Sequence, residues 1–335
     1  MPADDEARPR AAVTGPTRAL GGAPARARPI LVTGAHRSGT TWAGRMLAHA
    51  PGVLYVHEPF NVYHPPSRGV CNVRLEHCYA HVTAENEAVC YRALRNTIGL
   101  RYDWLAAARS VASVRDARRL RAEHRLFRRH RRAGSVPLIK DPLAFFSAEW
   151  LAARFGMSVV VLVRHPAAFA SSLRLLGWSY PFADLLAQPR LMDTLLRPFA
   201  AEVEAFAAAE RPVLDQAVLV WRLIYHTALE YRRRHPEWTF VRHEDLSRDP
   251  VGGFRNLFAR LGLAFTEHAR ETVEAYSGSH KPAQPEVHVG SMIALRRDSA
   301  ANLSSWRRRL TAAEVAHIRD GVGPLAEHFY AETEW

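Results

Sequence analysis

Lysine is scarce in this sequence, although the chain is strongly basic. Of its 45 lysine and arginine residues only Lys140 and Lys281 are lysines, so the formal net charge of +12 comes from arginine. The planar guanidinium group matches the oxygens of phosphate and sulfate, which an ammonium group meets only as a point charge. The charge balance therefore favours an anionic ligand or an acidic acceptor, unless it only reflects GC-rich coding.

Cysteine is also rare, and Cys71, Cys78 and Cys90 are the only three. His77 and His81 lie in the same segment, but the spacing lacks the paired cysteines of a zinc site. An odd number of cysteines in a chain without an export signal favours free thiols. We therefore expect no bound metal, and the spacing leaves open whether any of these thiols pair.

Long apolar runs are absent as well. No run approaches the roughly 20 residues that span a bilayer, so we expect no membrane helix. Residues 1–28 are rich in arginine, proline and alanine and lack the apolar stretch of a secretory signal. These features predict a disordered tail over residues 1–28, a single domain over residues 29–335 and a cytoplasmic location.

A glycine-containing turn within Pro29–Trp42 is the most informative stretch that is present. An apolar strand-like run ends at Gly34, the chain turns, and apolar residues recur at helical spacing from Ser38 onwards. Gly34 and Gly39 let the backbone approach a ligand, and the free N–H groups of the new helix stabilise an anion. This stretch predicts a phosphate-binding loop.

The loop has the glycine spacing of a Walker A motif but lacks its lysine. Thr40 and Thr41 follow Gly39, where a nucleotide hydrolase carries lysine and then serine or threonine. Since that lysine reaches the β- and γ-phosphates, its absence disfavours hydrolysis of ATP or GTP. Backbone amides and the Arg37 guanidinium would instead hold a single phosphate. An accidental pair of glycines is the alternative, which the adjoining strand and helix disfavour.

Four more strand-like runs alternate with helical segments along the chain. They lie at residues 53–56, 136–139, 157–163 and 238–242, and each is short and mostly apolar. Repeated strand and helix units predict an α/β fold with a central, mainly parallel sheet flanked by helices. The segment 60–90 has no clear period, and we expect an irregular excursion that shapes an acceptor pocket.

Charged residues follow three of these strands, at the sheet edge where α/β proteins gather their active sites. Glu58 follows the second strand, Lys140 ends the third and Arg164 follows the fourth. Ser172 lies two turns into the helix after Arg164, and this strand, arginine and serine predict a second anion site. A capping role for Glu58 and a surface turn for Lys140 are the simpler alternatives.

Nine arginines crowd the end of a predicted helical segment over residues 91–133. They would guide an anionic acceptor, a membrane surface or nucleic acid, but a solvated helix face is the favoured interpretation. Nucleic acid is further disfavoured because stacking aromatics are nearly absent from the segment. The arginines are Arg115, Arg118, Arg119, Arg121, Arg125, Arg128, Arg129, Arg131 and Arg132.

The C-terminal region combines an irregular polar stretch with a capped helix. Residues 277–302 lack a period, and Thr311 and Glu314 then form the capping box of a last helix. An arginine cluster beside a loop would be able to close over a nucleotide. The polar candidates for that contact are Ser291, Arg296 and Arg297.

Together these residues resemble the sulfotransferases that use 3′-phosphoadenosine 5′-phosphosulfate (PAPS). In that family a loop of this kind holds the 5′-phosphosulfate, and a strand followed by arginine and then serine holds the 3′-phosphate, as Arg164 and Ser172 would. The resemblance covers about residue 29 to the last helix and implies a three-layer, P-loop-NTPase-like fold. The loop contacts that it implies are Arg37, Ser38, Gly39, Thr40, Thr41 and Trp42.

The resemblance also implies a reaction. A sulfuryl group would pass from PAPS to an acceptor hydroxyl and leave adenosine 3′,5′-bisphosphate (PAP), with Glu58 as general base and its pKa raised by burial. Lys140 and Arg37 would neutralise the leaving oxygens. No metal is implied, since PAPS has no β,γ-bridge for Mg²⁺ to span. The residues that would close over the donor are Ser291, Arg296, Arg297 and Trp306.

Within that family, Arg37, Glu58 and Lys140 are most similar to the tyrosylprotein and carbohydrate branch, in a bacterial member. That similarity implies a carbohydrate or glycolipid acceptor. His243 stands where relatives often have tyrosine. The alternatives are a kinase or nucleotide hydrolase with a variant loop, and a nucleic-acid or membrane-binding protein that uses the arginine-rich helix.

Overall fold

A central sheet of five strands organises the chain. The computed structural model describes residues 28–277 and 303–335. The strands are β1 Ile30–Gly34, β2 Val53–His57, β3 Val136–Lys140, β4 Ser158–Val163 and β5 Thr239–Arg242. Their order in the sheet is β2-β3-β1-β4-β5, and every pairing is parallel. The predicted α/β fold with a central parallel sheet is therefore confirmed.

The first strand lies in the middle of the sheet, because it pairs with β4 on one side and β3 on the other. Ile30 is aligned with both Ser158 and Leu138. Every residue of β1 is buried, as expected of an apolar strand that helices cover on both faces. The turn that follows β1 therefore starts between the carboxyl ends of β3 and β4.

Helices cover both faces of the sheet. In the first part of the chain they are α1 Thr40–Leu47, α2 Tyr91–Ile98, α3 Trp104–Arg109, α4 Val114–Arg132, α5 Ala148–Phe155, α6 Pro166–Leu176, α7 Phe182–Leu186 and α8 Pro189–Asp193. The later ones are α9 Ala200–Ala208, α10 Val213–Arg234, α11 His243–Arg248, α12 Pro250–Arg260, α13 Glu267–Ser277, α14 Ala312–Val322 and α15 Pro324–Glu327.

Each face of the sheet has its own hydrophobic core. The neighbouring residues Val160 and Val161 of β4 belong to opposite cores, because successive side chains of a strand point to opposite faces. On one face α6 and α10 pack together, and Trp221 of α10 is fully buried. On the other face α1, α12 and α13 cover the sheet around Met46 and Phe254.

Caps and breaks in the helices match local sequence signals in part. The predicted capping box of Thr311 and Glu314 is present at the start of α14. The predicted helical segment 91–133 forms three helices, because Asp103 and Ser113 each cap a new helix. Residues 60–90 contain no strand, as predicted, and end in the short 3₁₀ turn Glu87–Val89. None of the helices in the described part of the chain is long and apolar enough to cross a membrane.

Candidate functional site

The turn between β1 and α1 is closed by its own hydrogen bonds. The Ser38 hydroxyl and backbone N–H both donate to the Ala35 carbonyl, over 2.6 and 3.1 Å. Arg37 has a φ of 66° and Gly39 a φ of 93°, so the chain passes through left-handed conformations before α1 begins at Thr40. The first N–H groups of a helix lack partners within it, which suits the start of α1 to anion binding.

Gly39 is required at its position for two reasons. Its φ is left-handed, and a Cβ at this residue would lie 2.5 Å from Nδ1 of His243 at the start of α11. The His243 ring packs edge-on against Trp42, with 5.6 Å between the ring centroids. The turn between β1 and α1 therefore rests directly on the corner between β5 and α11.

Replacing Gly39 with alanine is expected to lower the free energy of unfolding by about 2 to 4 kcal/mol, the sum of left-handed strain and steric overlap. Gly52→Ala is the matched control, because Gly52 has a φ of 75° and a Cβ there meets nothing within 4 Å. The control substitution should lower the free energy of unfolding by about 1 kcal/mol, because it introduces only the left-handed strain. Urea denaturation measures both values, and equal losses would contradict the overlap with His243.

The second predicted anion site lies against this loop. The backbone N–H of Arg164 donates to the Tyr225 hydroxyl over 3.0 Å, and its carbonyl accepts from the Trp221 indole over 2.9 Å. The Arg164 guanidinium donates to the backbone carbonyl of Arg37. In turn, Nε of Arg37 donates to the Ser172 hydroxyl over 3.1 Å. The structure thus brings both predicted anion sites together, and α10 holds the arginine that joins them.

Glu58 and Lys140 form an ion pair at the carboxyl ends of β2 and β3. The backbone N–H of Glu58 donates to the Lys140 carbonyl over 2.9 Å. The Lys140 ammonium donates to Oε1 of Glu58, and Nδ2 of Asn61 donates to Oε2 over 2.6 Å. Lys140 is completely buried, whereas 16% of the Glu58 side chain is exposed. Solvent therefore reaches the pair from the carboxylate side.

The ion pair controls the protonation of Glu58. Burial acts to raise the pKa of this carboxyl group, but the charges of Lys140 and His57 and the hydrogen bonds from Lys140 and Asn61 together lower it. The expectation of a raised pKa for Glu58 is therefore wrong, because a buried ammonium beside it outweighs the effect of burial. Glu58 is ionised at neutral pH, as a proton acceptor must be.

Helix α1 has a glycine, Gly44, at the point where it packs against the side chain of Lys140. A Cβ at Gly44 would lie 2.9 Å from Cγ of Lys140 and 3.2 Å from the Tyr55 ring. On the next residue, the Arg45 guanidinium stacks over the same ring at 4.1 Å from its centroid. The helix that opens at the phosphate loop therefore lies directly on the aliphatic stem of Lys140.

A buried carboxylate follows the lysine. Asp141 accepts the backbone N–H of Phe60 over 2.6 Å and that of Leu143 over 2.9 Å. Burial, with Glu58 nearby, raises the pKa of Asp141 to about 7. The two hydrogen bonds tie the chain after Glu58 to the chain after Lys140, so Asp141 positions both members of the ion pair.

A histidine in the phosphate loop is held by aromatic side chains. The Tyr79 hydroxyl accepts the backbone N–H of His36 over 3.0 Å and is hydrogen-bonded to its Nδ1 over 2.7 Å. Burial, with the Arg37 charge, lowers the pKa of His36 to about 3, so the ring is neutral at neutral pH. Sequence reasoning missed this pair, because Tyr79 lies in the irregular segment 60–90 without any pattern to single it out.

The other residues predicted to contact the donor lie outside the group formed by Arg37, Arg164 and Ser172. Trp306 is buried and stacks on His165, with 5.1 Å between the ring centroids, so its indole packs in the core behind Arg164. Thr41 and Trp42 lie in the first turn of α1. The remaining predicted contacts lie outside the described residues; they are Ser291, Arg296 and Arg297.

The cysteines are buried and free. Burial raises the pKa of Cys78 and of Cys90 to about 12, which makes these thiols poor nucleophiles at neutral pH. Within residues 28–277 and 303–335, no cluster of three or more histidine, cysteine or acidic side chains is placed to hold a metal ion.

Comparison with known proteins gives a consistent set of matches. The model of the sulfotransferase family matches residues 29–267. The sulfotransferase domain from the curacin biosynthetic pathway is 13% identical, with a TM-score of 0.49 over 91% of this chain and 98% of that one. The sulfotransferase domain of the Synechococcus olefin synthase is 19% identical, with a TM-score of 0.48 over 94% and 99%. A sulfotransferase from Mycobacterium avium is 16% identical, with a TM-score of 0.43 over 92% and 78%. No curated protein matches the chain.

Proposed function

This chain belongs to the sulfotransferase family, and from that membership we propose that it transfers a sulfuryl group from PAPS to a hydroxyl group of a carbohydrate or glycolipid. The observation that carries the proposal is the contact of Arg37 with both Arg164 and Ser172. This contact joins the loop after β1 to the arginine and helix after β4. Two adjoining anion sites suit a nucleotide that carries one anionic group on each side of its ribose.

The residues around this contact fit the two anionic groups of PAPS. Arg37, Ser38 and the N–H groups that open α1 would hold the 5′-phosphosulfate, and Arg164 with Ser172 would hold the 3′-phosphate. Donor binding would replace the internal hydrogen bonds of the two guanidinium groups with bonds to anionic oxygens, which are stronger. The proposed contacts of Ser291, Arg296 and Arg297 would add to this grip, whereas Trp306 is buried in the core.

The two residues of the ion pair would have different roles in the reaction, one as proton acceptor and the other as a charge that stabilises the leaving group. PAPS supplies the sulfuryl group and leaves as PAP. Glu58 would accept the proton of the acceptor hydroxyl, for which its exposed carboxylate is ionised and accessible. As Glu58 becomes neutral, its attraction for Lys140 falls, and the Lys140 charge becomes available to the leaving oxygens in addition to that of Arg37. Proton uptake and leaving-group stabilisation would thus be coupled within one pair.

The acceptor would approach from the exposed side of Glu58. Trp178 is 42% exposed and its ring centroid lies 5.7 Å from the Arg37 guanidinium carbon, so a flat apolar face borders the proposed reaction site. Such a face suits the ring of a sugar, which would pack on the indole with its hydroxyl groups beyond the edge of the indole. Transfer of labelled sulfate from PAPS to sugars, lipids and phenols in parallel would identify the acceptor class.

The donor proposal is tested by titration calorimetry with PAP in the absence of magnesium. Binding is expected, and Arg164→Ala should weaken it roughly 10- to 100-fold, because a charge-assisted bond to the 3′-phosphate is lost. Arg255→Ala, an exposed arginine on α12, is the control and should bind normally. Absence of binding to the unmodified chain at millimolar PAP would refute a PAPS donor, and an unchanged dissociation constant in Arg164→Ala would refute its role.

A kinase or nucleotide hydrolase is not favoured. It would need the Walker A lysine that reaches the β- and γ-phosphates, but Thr40 stands in its place. ATP turnover with Mg²⁺ would establish that alternative function.

A single domain over residues 29–335 and a cytoplasmic location remain predictions.

A further inference from the structure

A strongly cationic helix stands outside the proposed reaction site. Helix α4 carries nine arginines and two acidic residues, and its buried residues Leu120 and Phe127 define the face that packs inward. Arg118, Arg125 and Arg129 lie on the opposite side of the helix, because they are separated from those residues by about half a turn. The outward face of α4 is therefore a continuous stripe of positive charge.

Little of this charge is neutralised inside the molecule. Among the described residues, Arg119 is the one arginine of α4 within 4.0 Å of a carboxylate, and its partners are Asp116 and Glu123. Glu123 also accepts from the Ser67 hydroxyl over 2.5 Å and from the Tyr102 hydroxyl over 2.9 Å. Both acidic residues thus serve local structure, and the outward arginines are left for an external anion.

Large apolar side chains are exposed on α3 and at the start of α4. Trp104 and Leu105, in the first turn of α3, are 51% and 64% exposed, and Val114 at the start of α4 is 71% exposed. The two helices pack against each other, and only residues 110–113 connect them. Single exposed apolar residues are ordinary, but a group that includes an aromatic residue indicates an interaction surface.

We propose that α3 and α4 dock on the surface of an anionic phospholipid bilayer. The arginines would bind lipid phosphates, while Trp104, Leu105 and Val114 would enter the interface between headgroups and acyl chains. A nucleic acid would use the same arginines but would leave the two aliphatic side chains without a partner. The combination of charge and exposed apolar surface therefore favours a bilayer.

The docking surface is also connected to the proposed reaction site. Phe127 of α4 packs against Leu54 of β2, the strand that ends next to Glu58. Ser67, which donates to Glu123, belongs to the irregular segment that follows Glu58. Docking would bring this segment close to the bilayer, where the hydroxyl groups of a glycolipid lie. This last step rests on the proposed function, whereas the docking itself does not.

Sedimentation of the full chain with vesicles tests the proposal. The vesicles are phosphatidylcholine alone or phosphatidylcholine with about 30% phosphatidylglycerol, and binding is expected only to the second kind. Arg118→Gln with Arg125→Gln should lower the partition coefficient roughly 20-fold, since each arginine near an anionic surface contributes about a fivefold factor. Arg255→Gln with Arg260→Gln is the matched control, because these arginines are exposed on α12, and it should bind nearly as the unmodified chain does.

A second pair of changes separates insertion from simple charge attraction. Trp104→Ser with Leu105→Ser should lower partition at least fivefold while binding to heparin is unchanged, because only a bilayer accepts apolar side chains. Thermal unfolding followed by circular dichroism shows whether each variant is folded.

No preference for anionic vesicles would overturn the proposal, as would equal losses in the α12 control. Retention of duplex DNA by the unmodified chain together with no vesicle binding would assign the surface to nucleic acid instead. PAP binding in the same samples reports separately on the proposed function.

Discussion

Glu58→Gln is expected to slow sulfuryl transfer about 1,000-fold, within the usual range for removal of a general base. Glutamine has nearly the same shape but cannot take up the proton of the acceptor hydroxyl. The dissociation constant of PAP should change by less than about threefold, because Glu58 contacts Lys140 and Asn61 and not the proposed phosphate contacts. Single-turnover transfer of labelled sulfate measures the rate, and full activity would refute Glu58 as the base.

This change also removes the counter-ion of a buried lysine, so stability must be measured beside activity. Loss of one partner from a buried ion pair costs about 3 to 5 kcal/mol, whereas replacing both partners costs much less. The double variant Glu58→Gln with Lys140→Met should therefore unfold at a higher urea concentration than Glu58→Gln alone, yet remain as inactive. Activity that recovered together with stability would show that the single change acted only through folding.

Lys140→Met is expected to slow transfer about 100- to 1,000-fold, because a preorganised charge is lost from the leaving oxygens. Methionine fills most of the volume that the lysine stem occupies under α1. Binding of PAP should weaken far less than the rate falls, since the product no longer carries the bridging charge of the transition state. A loss confined to PAP affinity, with a normal rate at saturating donor, would contradict this role. Glu87→Gln is a suitable control, because Glu87 is a paired carboxylate away from the site.

The pH dependence of the same variant tests the ion pair itself. With Lys140 present, the pKa of Glu58 is below its ordinary value, so transfer should persist to pH values below that of a free glutamate. Without Lys140, burial is left as the main influence and raises the pKa, so the acidic limb of the rate profile should move to higher pH. The stability that the pair contributes is present above the ordinary glutamate pKa and is lost as the pH falls through the lowered one.

The fold could be predicted from the sequence because its signals are local. Each strand is a short apolar run bounded by turn residues, and Gly34 and Gly39 mark the turn after the first of them. The carboxyl ends of parallel strands share one edge, which is why Glu58, Lys140 and Arg164 could be assigned to a common edge. Local patterns and general sheet geometry were sufficient for these assignments.

Contacts between distant segments could not be predicted in the same way. The pairing of Glu58 with Lys140 depends on the register of β2 against β3, which the packing of the whole sheet determines. The lowered pKa of Glu58 follows from that register and from Asn61. Likewise, the sequence near Gly39 carries no sign of His243, whose ring lies against it after folding. Such residues become recognisable only once the elements that carry them are in place.

Gly44 limits which substitutions the site can accept during evolution. Because α1 lies on the stem of Lys140, a methyl group at Gly44 would push the helix away from the sheet and carry the phosphate loop with it. A larger residue at position 44 is therefore compatible only with a shorter one at position 140, where the described part of the chain has its lysine. We expect the two positions to change together or not at all, so the turn before α1 and the ion pair would evolve as one unit.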